Sequence, residues 1–375
     1  MLQPTPAAAP VLGHAALVAR LIAAAGDGSL SHAILLTGPE SVGKTAVALA
    51  VAAALLDAGA WPGGLAAHPD FWLEDSDVEN ISIKRVKPGG DDGPTLQDFL
   101  ALRPYAGGRR VAVIGRADRL GIEAANNILK SIEEPPPHTY LFLAAAHPEK
   151  LPQTVASRCA TYALSPVPAA AITEWLVSAH GVDSERAAAA APLAAGRPGR
   201  ALRLATEPGA LDAELDAVDV FLGAGGGGTA AAISAADAVA PGPGAEGRER
   251  ALVTLAAWAS FVRDAACYAS GAPELALWRA YRPALERWAE DLPAARIVEI
   301  LHRLVVASEA VATYAQPRLA FEALMLDIFG GANSPPAVEP RPRDMQPRKS
   351  VSGAASAGRP RRGRGSARAA ASGGA

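Results

Sequence analysis

Short apolar runs alternate with longer stretches of helical period over the first 165 residues. This rhythm predicts a parallel sheet covered by helices on both faces. Ala33-Ile34-Leu35-Leu36, Arg110–Ile114 and Tyr140–Ala145 are short and almost continuously apolar, as strands buried on both sides require. Residues 11–25, 45–56, 96–102 and 124–134 read as helices, the last stopped by Pro135-Pro136-Pro137. Residues 57–95 are rich in Gly, Pro and Asp, with one apolar interlude at Phe71-Trp72-Leu73. Past about residue 166 strand signals vanish. Residues 169–178 and 185–193 read as helices, Gly223–Gly228 as a glycine run between elements, and 248–329 as amphipathic helix throughout. Within that last region Ile297, Ile300, Leu301, Leu304, Val305 and Ser308 are expected on one face, with Asp291 and Pro293 as the start signal.

The pattern places one chemical motif between a strand and a helix. Residues 38–45 read Gly38-Pro39-Glu40-Ser41-Val42-Gly43-Lys44-Thr45, a complete phosphate-binding loop. Gly38 and Gly43 lack Cβ, so backbone N–H groups can close around a phosphate. Lys44 offers a charge for the terminal phosphates, and the Thr45 hydroxyl suits a magnesium ion. Strand, loop and helix N-terminus together form an anion site.

The hydrolytic half is missing. A P-loop ATPase needs an acidic residue at the end of a neighbouring apolar strand to hold magnesium. After Arg110–Ile114 stand Gly115 and Arg116, which offer no ligand and the wrong charge. Asp118 lies further on. It either starts or caps the following turn or serves magnesium. The expectation is a site that holds nucleotide and is poorly equipped to cut it.

Composition then bounds the class. A chain of 375 residues suggests two or three domains. Two cysteines, Cys159 and Cys267, exclude a disulfide framework and a Cys-rich zinc site. The longest apolar run, Ala46–Leu56, is too short for a bilayer, and the N-terminus lacks the basic region of a signal peptide. A cytoplasmic protein without membrane contact is expected. The net charge of −3 hides an asymmetry, because residues 332–375 carry nine basic and two acidic side chains (+7), leaving −10 on residues 1–331. That segment reads as a disordered basic tail, either simply solvated or touching nucleic acid through phosphates. His32, His68, His147 and His302 show no metal spacing. Glu133 and Glu134, ahead of three prolines, suggest a turn or interface, and Lys84-Arg85-Val86-Lys87 a solvated basic face.

Three further motifs carry a family resemblance. His68-Pro69-Asp70, the run Ala124-Ala125-Asn126-Asn127-Ile128-Leu129-Lys130-Ser131-Ile132-Glu133-Glu134-Pro135-Pro136, and Leu151-Pro152-Gln153-Thr154-Val155-Ala156-Ser157-Arg158-Cys159 resemble the AAA+ subunits of bacterial clamp loaders. The likeness covers residues 11 to about 205, and Gln316–Leu324 is similar to that family's last collar helix. It implies an α/β AAA+ domain (1–165), a small helical lid (166–207) and an all-α collar for oligomerisation (208–331), followed by the tail (332–375). It also implies a hetero-pentamer with gamma/tau and delta subunits of DNA polymerase III. Such a ring places a sliding clamp on primer-template DNA. The implied ligand is ATP or ADP, with magnesium through Thr45.

The resemblance also implies that Arg158 is an arginine finger, reaching the ATP of the neighbouring subunit in trans. Several departures from the family pattern favour a resemblance to the delta-prime branch over the gamma/tau motors. Residues 57–68 lack the four cysteines that many relatives carry, so no zinc is expected. Gly115 and Arg116 replace the acidic pair, Ala144-Ala145-Ala146 replaces a Thr-bearing strand end, and Gly199 replaces an arginine that senses nucleotide. Three function classes remain open on the sequence. One is a stator that binds but does not hydrolyse ATP; another is a self-sufficient AAA+ ATPase motor of the gamma/tau type, using Asp118 or another carboxylate for magnesium. A DNA-binding adaptor acting through the tail is a third.

Overall fold

The computed structural model describes residues 11–338, apart from 77, 79, 89–93, 107, 243, 332 and 333. The N-terminal half runs α1 (Ala15–Gly26), β1 (Ala33–Thr37), α2 (Lys44–Leu55), β2 (Phe71–Glu74), α3 (Leu96–Ala101), β3 (Arg110–Ile114), α4 (Ile122–Glu133), β4 (Thr139–Ala145), α5 (Gln153–Ala156) and β5 (Ala160–Ala163). All strand pairs are parallel, in the order β2-β3-β4-β1-β5. This is the α/β arrangement that the apolar pattern predicted, a parallel sheet covered by helices, with a helical C-terminal part.

Alternation along the strands divides the apolar side chains between two layers. Ile34, Leu36, Val111, Val113, Phe142 and Ala144 face α1 and α2. Leu35, Ala112, Ile114, Leu141, Leu143 and Ala145 face α3, α4 and α5. Both faces are covered, which is why these strands read as unbroken apolar runs.

β2 and β5 were hidden in the sequence. Phe71–Glu74 sits in a polar segment and is held by pairing with β3, with Phe71 opposite Val111 and Glu74 opposite Ile114. Ala160–Ala163 is an edge strand whose alternate residues are exposed, so it lacks an apolar run. The short 82–87 segment also departs from expectation. Val86 is buried, and Arg85 pairs with the buried carboxylate of Glu74 instead of lying on a solvated face.

The His68-Pro69-Asp70 motif proves to be structural. Asp70, fully buried, accepts hydrogen bonds from the N–H groups of Tyr105 and Ala106 at 2.8 Å and lies 3.3 Å from the Arg110 guanidinium. His68 is buried too, and its Nδ1 accepts from the Asp70 N–H. Together they tie the start of β2 to the approach to β3.

The second half is helical: α6 (Ala169–His180), α7 (Ser184–Leu193), α8 (Pro198–Thr206), α9 (Ala210–Gly223), α10 (Gly228–Val239), α11 (Gly244–Ala269), α12 (Arg282–Asp291), α13 (Ala294–Thr313) and α14 (Pro317–Phe329). One continuous core runs from Val167 to Phe329 around Phe221, Trp258, Phe261, Trp288 and Phe321. α8 and α9 are also joined by Arg200, which donates to both carboxylate oxygens of the buried Glu214 at 2.8 Å.

The face of α13 differs from expectation at one position. Ile297, Ile300, Leu304 and Val311 are buried, but Val305 is 45% exposed. Position 305 lies about 100° round the helix from Leu304 and so falls off the buried stripe. The packed chain also extends past the expected collar boundary. Pro335 is buried, Val338 rests on the helical core, and the Pro336 carbonyl fills the space beside Gly225. The basic residues of the tail lie outside the described residues. Among the described residues no helix is long and apolar enough to cross a membrane.

Candidate nucleotide-binding site

The phosphate loop leaves the C-terminal end of β1 and enters α2 at Lys44. Its path depends on glycine at two points. Gly38 has φ +138°, and a Cβ there would lie 2.5 Å from the Leu164 carbonyl oxygen. Gly43, at φ +116°, is the N-cap of α2. Ser41 is also left-handed, at φ +61°. That conformation costs a residue with a side chain of order 1 kcal/mol or more, and a contact from α8 holds it: the Ser41 carbonyl accepts from the Gly199 N–H at 3.0 Å.

Lys44 is buried, and its Nζ donates to the carbonyls of Gly38 (2.9 Å) and Pro39 (2.8 Å). Burial pulls its pKa down, while the charges of Asp118 and Glu40 oppose that shift. Behind the loop, His14 is buried with Nε2 3.3 Å from the Val42 carbonyl, and burial lowers its pKa. Glycine loop, lysine and the free N–H groups of a helix start converge here, as binding a phosphate chain requires.

Gly199 stands where the family resemblance implies that an arginine is replaced. A Cβ at 199 would lie 3.2 Å from the Ser41 Cβ. The N-terminus of α8 therefore lies directly on the loop, backbone against backbone.

The magnesium side is different. Gly115 and Arg116 follow β3, and the Thr45 hydroxyl lies 3.5 Å from the Gly115 carbonyl. Asp118 sits on a single helical turn, and its Oδ2 accepts from the N–H groups of Ala146 (3.1 Å) and His147 (2.9 Å). It therefore caps the chain leaving β4, not its own turn, whose N-cap position is Arg116. A carboxylate that sequence reasoning missed stands nearby. Asp75 follows β2, level with Gly115, and its Oδ1 lies 2.0 Å from where a Gly115 Cβ would be. The signal was unreadable because β2 itself was not recognised as a strand.

The fit to a nucleotide follows from these groups. N–H groups and Lys44 suit phosphates, while Thr45 and Asp75 are hard oxygen donors. Among the described residues no three His, Cys, Asp or Glu side chains form a metal cluster. Magnesium is normally held by one or two protein oxygens and shared with substrate phosphates, so the donor set suits it.

Arg158 lies at the other end of the sheet. It precedes β5 by two residues, and β5 runs parallel to β1 with Ala160 level with Ile34. The arginine is therefore beside the start of β1, whereas the cradle follows its end. His32, just ahead of β1, bonds the Ile132 carbonyl, which places the end of α4 at that same edge. There Glu133 pairs with Arg158 (Nε to Oε1, 2.7 Å), and Arg158 Nη1 donates to the Thr154 carbonyl at 3.0 Å. Two motifs far apart in sequence thus meet. The Arg158 side chain is 43% exposed and its Glu133 partner 48%.

Comparison with known proteins addresses this half of the chain. Residues 13–168 match the family model for DNA polymerase III, delta subunit. The chain is 37% identical over 163 residues to DNA polymerase III subunit delta' of Pseudomonas aeruginosa, covering 40% of this chain and 48% of that protein. The matched segment is similar to subunits of the delta-prime type. The delta' subunit of Escherichia coli is 30% identical over 194 residues, covering 51% of this chain and 54% of the relative. The tau subunit of the same organism is 31% identical over 160 residues, covering 42% of this chain and 25% of that protein. The chain thus spans about half the length of the delta-prime relatives it matches.

Proposed function

We propose that this chain is the stator of a DNA polymerase III clamp loader, of the delta-prime kind. It binds ATP or ADP at Gly38–Thr45 without cutting it and lends Arg158 to the nucleotide of a neighbouring subunit. The ring is a hetero-pentamer with gamma/tau and delta subunits, acting on a sliding clamp and primer-template DNA during replication in the cytoplasm.

The observation that carries the reading is the separation of cradle and arginine. Arg158 stands exposed at the edge of the sheet away from its own phosphate loop, so its charge serves a site outside this protomer. Its ion pair with Glu133 is half exposed, and such pairs contribute about 0–1 kcal/mol. A phosphate can displace Glu133 at little cost. The guanidinium fork matches phosphate oxygens and is always charged. At home, Gly115 and Arg116 supply neither a general base nor a magnesium ligand, which supports binding without turnover.

The test is ATP hydrolysis by the purified chain, with Lys44→Ala as control. Negligible turnover together with nucleotide binding that Lys44→Ala removes supports the stator. Robust turnover that disappears in Lys44→Ala establishes a self-sufficient motor and defeats it.

A further inference from the structure

The acidic residue absent from β3 has a spatial substitute on the neighbouring strand. From the position of its carboxylate, we infer that Asp75 replaces the missing acid beside Gly115 and serves the magnesium ion of a nucleotide bound at Lys44 and Thr45. The inference rests on the proposed nucleotide binding and assigns it a further residue.

The geometry has three parts. β2 and β3 are parallel neighbours with Glu74 opposite Ile114, and the Gly115 N–H donates to the Glu74 carbonyl at 2.8 Å, so Asp75 and Gly115 leave the sheet side by side. They do so at the C-terminal end of the strands, where parallel α/β sheets bind ligands and where the phosphate loop leaves β1. Next, the whole Asp75 side chain leans over Gly115. A Cβ at 115 would meet Oδ1 at 2.0 Å, Cγ at 2.6 Å and Cβ at 3.1 Å. Any larger residue at 115, an aspartate included, would expel it. Gly115 is thus the condition for Asp75 to stand there. Finally, the Thr45 hydroxyl approaches this same residue, 3.5 Å from the Gly115 carbonyl.

A hydroxyl and a carboxylate are the hard oxygen donors magnesium takes when it is shared with phosphates. The arrangement leaves hydrolysis unsupported, because the residue that follows Gly115 is Arg116, a cation and not a base. The site is built to hold magnesium nucleotide and to keep it whole.

The experiment is equilibrium binding of a fluorescent ATP analogue to the purified chain, in magnesium and in EDTA. Wild type should bind at least about tenfold more tightly with magnesium, the scale on which supporting groups tune metal affinity. Asp75→Asn, nearly isosteric, should lose most of that increment while binding in EDTA stays equal or tightens. The exchange Asp75→Gly with Gly115→Asp returns a carboxylate to the same space and should restore the increment. If Asp75→Asn keeps the full increment, the inference is overturned. If wild type binds equally with and without magnesium, the inference fails while the cradle stands. If wild type binds no nucleotide under either condition, the nucleotide reading fails and takes the inference with it.

Discussion

Lys44 and His14 show how burial sets the chemistry of single residues at the cradle. Lys44 is desolvated and satisfied by two loop carbonyls, so an arriving phosphate exchanges neutral acceptors for a charged one. A charge-assisted hydrogen bond contributes about 1.5–3 kcal/mol. Lys44→Ala should therefore weaken nucleotide binding at least about tenfold, measurable by titration.

His14 has a pKa below its ordinary value, burial being the first cause and the bond to the Val42 carbonyl opposing it. The unfolded chain thus holds its imidazole proton more tightly than the folded one. Its contribution to stability is full above the unfolded pKa near 6.5 and is lost as the pH falls through the window below it. Melting temperature should drop on acidification from pH 7 towards pH 5, and His14→Phe should flatten that slope. An unchanged slope in the variant would remove His14 from the account.

At the scale of elements, burial pattern decides cost. Leu304 is fully buried on α13, so Leu304→Ala should destabilise by about 2–5 kcal/mol. Neighbouring Val305→Ala, half exposed, should change stability by roughly 0.5 kcal/mol or less. Asp70 is a different case: Asp70→Ala would strand the buried Arg110 and two backbone N–H groups, costing about 3–5 kcal/mol. Chemical denaturation of the three variants checks all these values together.

These elements also show what a sequence can disclose. β1, β3 and β4 were readable because strands covered on both faces need apolar side chains in every position. β2 and β5 are held by pairing and carry no such run. The stripe of α13 was readable in period but was drawn one residue too wide. The phosphate loop is local in sequence and was visible whole. Asp75 beside Gly115 and Glu133 beside Arg158 depend on strand register and helix ends, which motif spacing does not encode.

Across the whole molecule, the sheet separates the two sites of the proposed function. Its C-terminal edge carries the cradle, with α8 resting on Ser41. Its opposite edge carries Arg158, loosely held by Glu133 and turned outward. A protomer arranged this way can be idle at its own nucleotide and still govern a neighbour's. The most direct measurement is single-site ATP hydrolysis in a ring reconstituted from this chain with gamma/tau and delta subunits, comparing wild type with Arg158→Ala. The account predicts a fall of about 10³-fold or more at the adjacent site, the range found for arginine fingers, with ring assembly intact. Hydrolysis at that site equal to wild type in an assembled ring would contradict it.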